Sequence, residues 1–282
     1  MSDRVLAATP GPLLQTLIAA LPTWGRNTLR ERLRAGCVLL NGVPVVRADQ
    51  PVAAGDEIRI QPAGAGAHAA AAPPFPILHC DDDLCAIDKP SGLLSVASDD
   101  ERQRTALALL RVWLGRTSRG DLWPAHRIDR ETSGVLLFAR TLAARDAVQA
   151  AWDDATKTYD AIVEGHPEPP EGVIEQPLRE DRNLRVHVGA HPDARPARTR
   201  YRTLATGRLR SALEVAIDTG RKHQIRAHLA WLGCPVVGDD RYGTRDRRLF
   251  LHARELVLPH PRDGRRLVLH APTPAAFAAA LR

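Results

Sequence analysis

The sequence predicts an α+β protein in two parts: a small amino-terminal helix-hairpin domain, and a larger domain built on a mixed, largely antiparallel sheet with flanking helices. Three observations predict it. Residues 62–76, PAGAGAHAAAAPPFP, are almost entirely Pro, Ala and Gly without periodicity and read as a linker between a domain at 1–61 and a domain at 77–282. Before the linker, two helical patterns are followed by short strand-like runs with an Asn-Gly turn. After it, short apolar runs alternate with Gly/Pro/Asp turns and only a few helical patterns, without the regular strand-helix alternation of a doubly wound sheet.

In the first domain, LLQTLIAAL (13–21) has helical apolar spacing, and NTLRERLRAG (27–36) offers Asn27 as an N-cap and Gly36 as a C-cap. On this second helix Leu29 and Leu33 share a stripe, and Arg26, Arg30 and Arg34 recur every four residues on a neighbouring one. That basic face is either a solvated surface, partly offset by Glu31, or a phosphate-binding one. Asn41-Gly42 signals a hairpin turn and Gly55-Asp56 a second turn.

In the second domain the expected strands are LCAIDK, GVLLFAR, TYDAIVEG, ALEVAID, FLHARELVL and RRLVLHA, and the expected helices are LAARDAVQAAW and HQIRAHLAWLG. PEPPEG (167–172) and GAHPDARPAR (189–198) read as exposed loops. No internal repeat is visible.

Composition bounds the function. With 282 residues, 44% hydrophobic and 26% charged, the chain can bury a sizeable core and is not disordered throughout. No run reaches the roughly 18 to 20 apolar residues of a membrane-spanning helix. The segment Gly11–Leu21 is interrupted by Gln15 and lacks a clean cleavage site, so it reads as a mature helix rather than a signal peptide. Cys37, Cys80, Cys85 and Cys234 form no C-x-x-C pair and read as reduced thiols, which points to the cytoplasm. The formal net charge is +6, carried by 36 Arg and only three Lys, and is compatible with a polyanionic partner.

Three stretches can carry chemistry. In AHRIDRETSGVLLFAR (125–140) a polar cluster runs into an apolar strand, and Asp129 lies between Arg127 and Arg130. A carboxylate kept ionised by neighbouring cations can act as nucleophile or base; the same residues with Thr132-Ser133-Gly134 also suit a hydrogen-bonded turn. In DTGRKHQIRAHLAWLGCPVVGDDRYG (218–243), Gly220 permits a turn, Arg221 and Lys222 open a helix, and Arg226 falls between Ile225 and Leu229, where a buried arginine needs a carboxylate partner. His223 and His228 are five apart rather than four and there is no HExxH, so zinc is not expected and both read as capping or packing residues. In KTYDAIVEG (157–165), Tyr159 suits either a base-stacking platform or an ordinary strand tyrosine.

Together these stretches resemble the RluA-type family of RNA pseudouridine synthases. ILHCDDDLCAIDKPSGLLSV is similar to that family's first motif, HRIDRETSG to its catalytic motif, KTYDAIVEG to its tyrosine strand and TGRKHQIRAHLAWLGCPVVGDDRYG to its last. The likeness covers about residues 77 to 270. Ile128 stands where leucine is usual, and the first motif ends LLSVAS without the histidine often seen there. Residues 12 to 61, with RLRAGCVLLNG and VAAGDEIRI in that order, resemble the small RNA-binding domain first known from ribosomal protein S-four.

The resemblance implies the pseudouridine synthase fold and conversion of uridine in structured RNA to pseudouridine, without metal or cofactor. It implies that Asp129 is the essential aspartate, as nucleophile at the anomeric carbon or as base at the 2′-position. Arg226 would pair with Asp129, and Tyr159 would lie against the uracil and assist deprotonation at carbon 5. Arg127 would fill the space left by the flipped base, and Leu229 would help wall the pocket. His126 and Lys222 are further substrate contacts expected from the same motifs, and Arg26, Arg30 and Arg34 are expected on RNA phosphates. The expected partner is RNA, ribosomal RNA of the large subunit ahead of a transfer RNA, with no membrane and no metal, and the chain is expected to be a monomer. The competing class is a non-catalytic RNA-binding ribosome-assembly factor, whose signature would be loss of Asp129 or its partners.

Overall fold

The computed structural model describes residues 3–7, 9–34, 37–45, 47–61, 73–98, 101, 104–115 and 122–281, with backbone only at 3–6, 34, 43 and 44. The chain forms two compact units, Met1–Pro74 with Leu107–Leu122, and Phe75–Ala106 with Trp123–Arg282. Residues 62–72 of the expected linker, the expected cap Gly36 and the Arg34 side chain lie outside what is described.

The first unit runs β1 (Asp3–Leu6), β2 (Gly11–Pro12), α1 (Leu13–Ala20), α2 (Arg26–Arg34), β3 (Val38–Leu40), β4 (Val43–Pro44), β5 (Pro51–Val52) and β6 (Glu57–Ile60). Leu13 and Leu17 on α1 and Leu29 and Leu33 on α2 lie one turn apart and bury together against Val38, Ile58 and Ile60. The sheet order is β1-β6-β3-β4, and β2 pairs with β5. Asn41 and Gly42, with φ of 51° and 80°, make the expected turn between β3 and β4. The Asn41 side chain also donates to Asp56 Oδ1 and accepts from Glu57 N, tying the two turns together. Asn27 is not a cap: α2 begins at Arg26, and Leu29 N donates to the Gly25 carbonyl.

The chain continues with β7 (Ile77–Cys80), β8 (Leu84–Lys89), α3 (Ala106–Trp113), β9 (Trp123–Pro124), β10 (Ser133–Ala139) and α4 (Leu142–Ala150). Next come β11 (Thr156–Glu164), β12 (Glu171–Ile174), β13 (Leu178–Glu180), β14 (Val186–Val188), β15 (Thr199–Thr206) and β16 (Arg210–Ile217). The last elements are α5 (Gln224–Trp231), β17 (Leu251–Pro259), β18 (Arg266–His270) and α6 (Ala276–Ala280). A ten-stranded sheet has the order β12-β15-β16-β11-β17-β10-β8-β7, with β18 added to β17 and β9 to β10. Among the described strands only β10 and β17 pair in parallel, so the sheet is mixed and mostly antiparallel, as expected.

All seven residues of β10 are buried, so this central strand is covered on both faces and reads as a continuous apolar run. One apolar layer contains Val163, Val215, Ile225 and Leu229, and another Leu84, Val135, Leu137, Val148 and Leu256. Thr141 caps α4 by accepting from Ala144 N. Gly134, at φ 110°, lets β10 approach β17: a Cβ there would lie 2.2 Å from the Ala253 carbonyl oxygen.

Candidate active site

The loop 126–132 leads into β10, and its backbone is held by the segment 89–95. Lys89 is fully buried at the end of β8, and its Nζ donates to the carbonyls of Pro90, Leu93 and Arg130 at 2.9, 2.8 and 3.0 Å. Ser91 Oγ donates to Glu131 O at 2.6 Å, Ser95 Oγ to Ile128 O at 2.8 Å, and Gly92 N to Arg130 O at 2.9 Å. Burial lowers the Lys89 ammonium to about 7, against the opposing charges of Glu131, Asp129 and Asp88. The stretch resembling a first motif is therefore scaffolding that fixes the carbonyls on either side of Asp129.

Asp129 opens into a pocket of about 80 Å³ that Arg127, Thr132, Tyr159, His223 and Arg226 also line. Tyr159 comes from β11, which pairs with β17, and Arg226 from α5, so three separate elements converge on one carboxylate. Arg226 is 4% exposed. Its Nε donates to Asp239 Oδ2 at 2.7 Å and its Nη2 to Asp239 Oδ1 at 2.8 Å, a bidentate pair with a fully buried carboxylate. Only Nη1 turns to Asp129, with Oδ2 at 3.4 Å. The expected pairing of Arg226 with Asp129 is present at 3.4 Å, but it is the weaker half of the arrangement: the bidentate fork belongs to Asp239, and Asp129 receives the remaining nitrogen.

Asp239 is itself fixed, because Oδ1 also accepts from Arg241 N and Tyr242 N. Burial lowers the Arg226 guanidinium, but the hydrogen bond and charge of Asp239, with a contribution from Asp129, outweigh it and hold it above its ordinary range. Burial raises the Asp239 carboxyl, and Arg226 with the two backbone donors outweighs that in turn. Tyr242 lies under the guanidinium, 5.5 Å from Cζ to ring centre.

His223 occupies the N-cap of α5 at φ 50°. Its Nδ1 shares a hydrogen bond with the Tyr242 hydroxyl at 3.0 Å, and Nε2 lies 4.0 Å from Asp129 Oδ2. Burial lowers this imidazole, with Asp129 acting the other way. Read from the sequence as capping or packing, His223 is a pocket residue; His228 is the packing one, buried on Thr199 Oγ1 and the Gln176 carbonyl. Burial first, and the charge of Asp129 second, raise the Tyr159 phenol well above its usual value, so it stays protonated.

Two expected contacts, His126 and Leu229, do not line the Asp129 pocket, and Lys222 lies beside it. His126 does not line the pocket: its Nε2 accepts from Leu137 N at 3.0 Å, and its ring stacks on Trp152 at 4.9 Å. Leu229 is completely buried in the layer beneath Ile225 and does not reach the pocket surface. Lys222 pairs with Glu180 and lines an adjoining groove with Arg179, Arg195 and Arg221. α5 starts at Gln224, so Arg221 and Lys222 precede the helix instead of opening it. Arg26 and Arg30 are exposed on α2 in the first unit.

The sequence reasoning missed Asp239 and Tyr242, although both lie in the quoted GDDRYG. The signal was the buried Arg226, which demanded a carboxylate; Asp129, Asp239 and Asp240 were all available, and spacing does not choose among them.

The RNA pseudouridylate synthase family profile matches residues 83–231. A Chloroflexus aurantiacus protein described as an uncharacterized RNA pseudouridine synthase is 39% identical over 99% of this chain and 93% of its own. The ribosomal large subunit pseudouridine synthase D of Nitrosomonas europaea is 33% identical over 95% of this chain and 83% of its own. The solved structure of human RNA pseudouridylate synthase domain containing 4 superposes with a TM-score of 0.60 at 28% identity, covering 73% of this chain and 91% of that one. The chain belongs to the RNA pseudouridylate synthase family, isomerases that form pseudouridine in RNA.

Proposed function

We propose that this chain isomerises uridine in large-subunit ribosomal RNA, with Asp129 as the catalytic carboxylate. The observation that carries the reading is the convergence on Asp129: its side chain is 28% exposed at the pocket, while Arg226, 5% exposed, approaches from the buried side. A carboxylate so placed can meet a ribose while a fixed cation holds its orientation. The ribosomal substrate rests on the Nitrosomonas relative, similar over nearly the whole chain.

The target nucleotide leaves its stack to enter the pocket, and Arg127 at the pocket edge takes the vacated place. Asp129 attacks the anomeric carbon or takes the 2′-proton; on either route the bond from nitrogen 1 to the ribose breaks. The uracil then turns and carbon 5 bonds to the anomeric carbon, breaking the Asp129–carbon bond on the first route or with return of the proton from Asp129 to the 2′-carbon on the second; the carbon-5 proton passes to solvent as nitrogen 1 gains one. The protonated Tyr159 phenol meets the uracil as a ring face and a donor, which argues against phenolate as the resident base. Arg179, Arg195, Arg221 and Lys222 track phosphates beside the pocket, and Arg26 and Arg30 do so on the S-four-like amino-terminal unit, in the cytoplasm.

Loss of the carbon-5 proton supplies the assay. Large-subunit ribosomal RNA transcribed with 5-tritiated uridine should release tritium in the presence of the protein. Release from transfer RNA alone would move the substrate assignment and leave the chemistry standing; release from neither would overturn the proposal.

A further inference from the structure

We propose that His79, Asp81 and His260 form a binding site for a divalent transition-metal ion of the zinc class, apart from the catalytic pocket. His79 Nε2 lies 2.6 Å and His260 Nε2 2.9 Å from the same oxygen, Asp81 Oδ2. The three ligand atoms all fall within 4.8 Å of one another. Two imidazoles and one carboxylate are a donor set suited to zinc.

The ligands come from the end of β7 with the turn after it, and from the turn after β17. His79 is in β7 and Asp81 directly follows it, whereas His260 directly follows β17, whose partner β18 runs near β7. The surrounding bonds fix the carboxylate in a metal-ready orientation. Asp81 Oδ1 accepts from Asp83 N and Leu84 N, both at 2.8 Å, which leaves Oδ2 directed at the imidazoles. The Asp81 carbonyl accepts from Arg140, so the turn is anchored on a second side. His260 is 3% exposed, while His79 at 22% and Asp81 at 29% leave one side open to solvent, where a water completes a tetrahedron.

Asp263 supplies the outer partner, with its Oδ1 3.4 Å from His260 Nδ1. As neutral rings both histidines donate Nε2–H to Oδ2, and His260 Nδ1 accepts from Arg262 N at 3.2 Å. A metal ion takes the place of the two Nε2 protons; each ring then carries its proton on Nδ1, and that of His260 turns to Asp263. Ligand atoms on a tetrahedral zinc are about 3.3 Å apart, so the partly exposed His79 must draw back by several tenths of an ångström. The carboxylates of Asp81, Asp82, Asp83 and Asp263 outnumber the neighbouring cations Arg140, Arg262 and Arg265 by one, which favours a cation.

The test is titration of the tag-free full chain with cobalt(II), read by visible absorption, and with zinc, read by equilibrium dialysis. The proposal expects a saturable cobalt d–d band at one ion per chain, and at least 10-fold weaker binding in both His79→Ala and Asp81→Asn. Asp263→Asn keeps all three ligands and should weaken binding by about 10-fold, which keeps the test open if a ligand variant fails to fold. Zinc should raise the melting temperature of the wild type and leave that of folded His79→Ala unchanged. No saturable band in the wild type, undiminished binding in the variants, or a thiolate charge-transfer band placing the ion on cysteine would each overturn it.

Discussion

Asp239 grips Arg226 by two nitrogens, at 2.7 and 2.8 Å, and thereby decides which nitrogen is left for Asp129 at 3.4 Å. The two carboxylates have different tasks. Asp239 is completely buried and anchors the arginine, while Asp129 is open to the pocket and free to meet substrate.

Removing the anchor should therefore cost turnover more than binding. Asp239→Asn leaves a buried guanidinium short of its partner and is expected to destabilise the fold by about 3 kcal/mol. In single-turnover assays kcat should fall at least 10-fold with RNA affinity within a factor of about three. Equal losses in both would mean that Asp239 supports the whole pocket rather than the orientation of Arg226.

Lys89 makes the support of the catalytic loop testable. Lys89→Met leaves the carbonyls of Pro90, Leu93 and Arg130 without its three donors, an expected loss of about 3 kcal/mol or more. Urea unfolding measures this directly. A variant as stable as wild type would show that the clamp contributes nothing net.

Much of this was legible in the sequence because it is local. The strand LCAIDK coincides with β8, GVLLFAR with β10 to within a residue, and the polar run before it becomes the pocket loop. What was not legible depends on tertiary packing. Helix α5 is buried from Gln224 through Leu229, so residue type alone does not tell which side meets the pocket, and Leu229 belongs to the core. His126 follows a polar pattern yet turns inward onto Trp152. Strand β15 is absent from the expected strands, although Thr199 and Tyr201 are buried while Arg200 and Arg202 are exposed, an alternation that could have marked it.

His126 also gives the fold a pH dependence. Burial lowers its imidazole from 6.5 to about 4, with the Arg127 backbone opposing, so between these values the unfolded chain binds more protons than the folded one. Its contribution is complete above pH 6.5 and is lost as pH falls through 4, a change of about 3 kcal/mol. Unfolding free energies at pH 7, 5 and 4 should show this decline in wild type and a shallower one in His126→Gln, which retains an acceptor for Leu137 N. Parallel declines would remove His126 as the cause.

Arg26 and Arg30 are exposed one turn apart on α2. If both contact phosphates, Arg26→Ala with Arg30→Ala should weaken RNA binding and reduce the slope of log K against log salt by roughly 1.5. Turnover of bound RNA should be unchanged. An unaltered slope would assign this face to solvent.

The central claim is that Asp129 performs pseudouridine formation on ribosomal RNA, and mapping pseudouridine in cells tests it most directly. Cells lacking this protein should lose one or a few pseudouridines from large-subunit ribosomal RNA, and wild type but not Asp129→Asn should restore them. Restoration by Asp129→Asn at wild-type level would contradict the account.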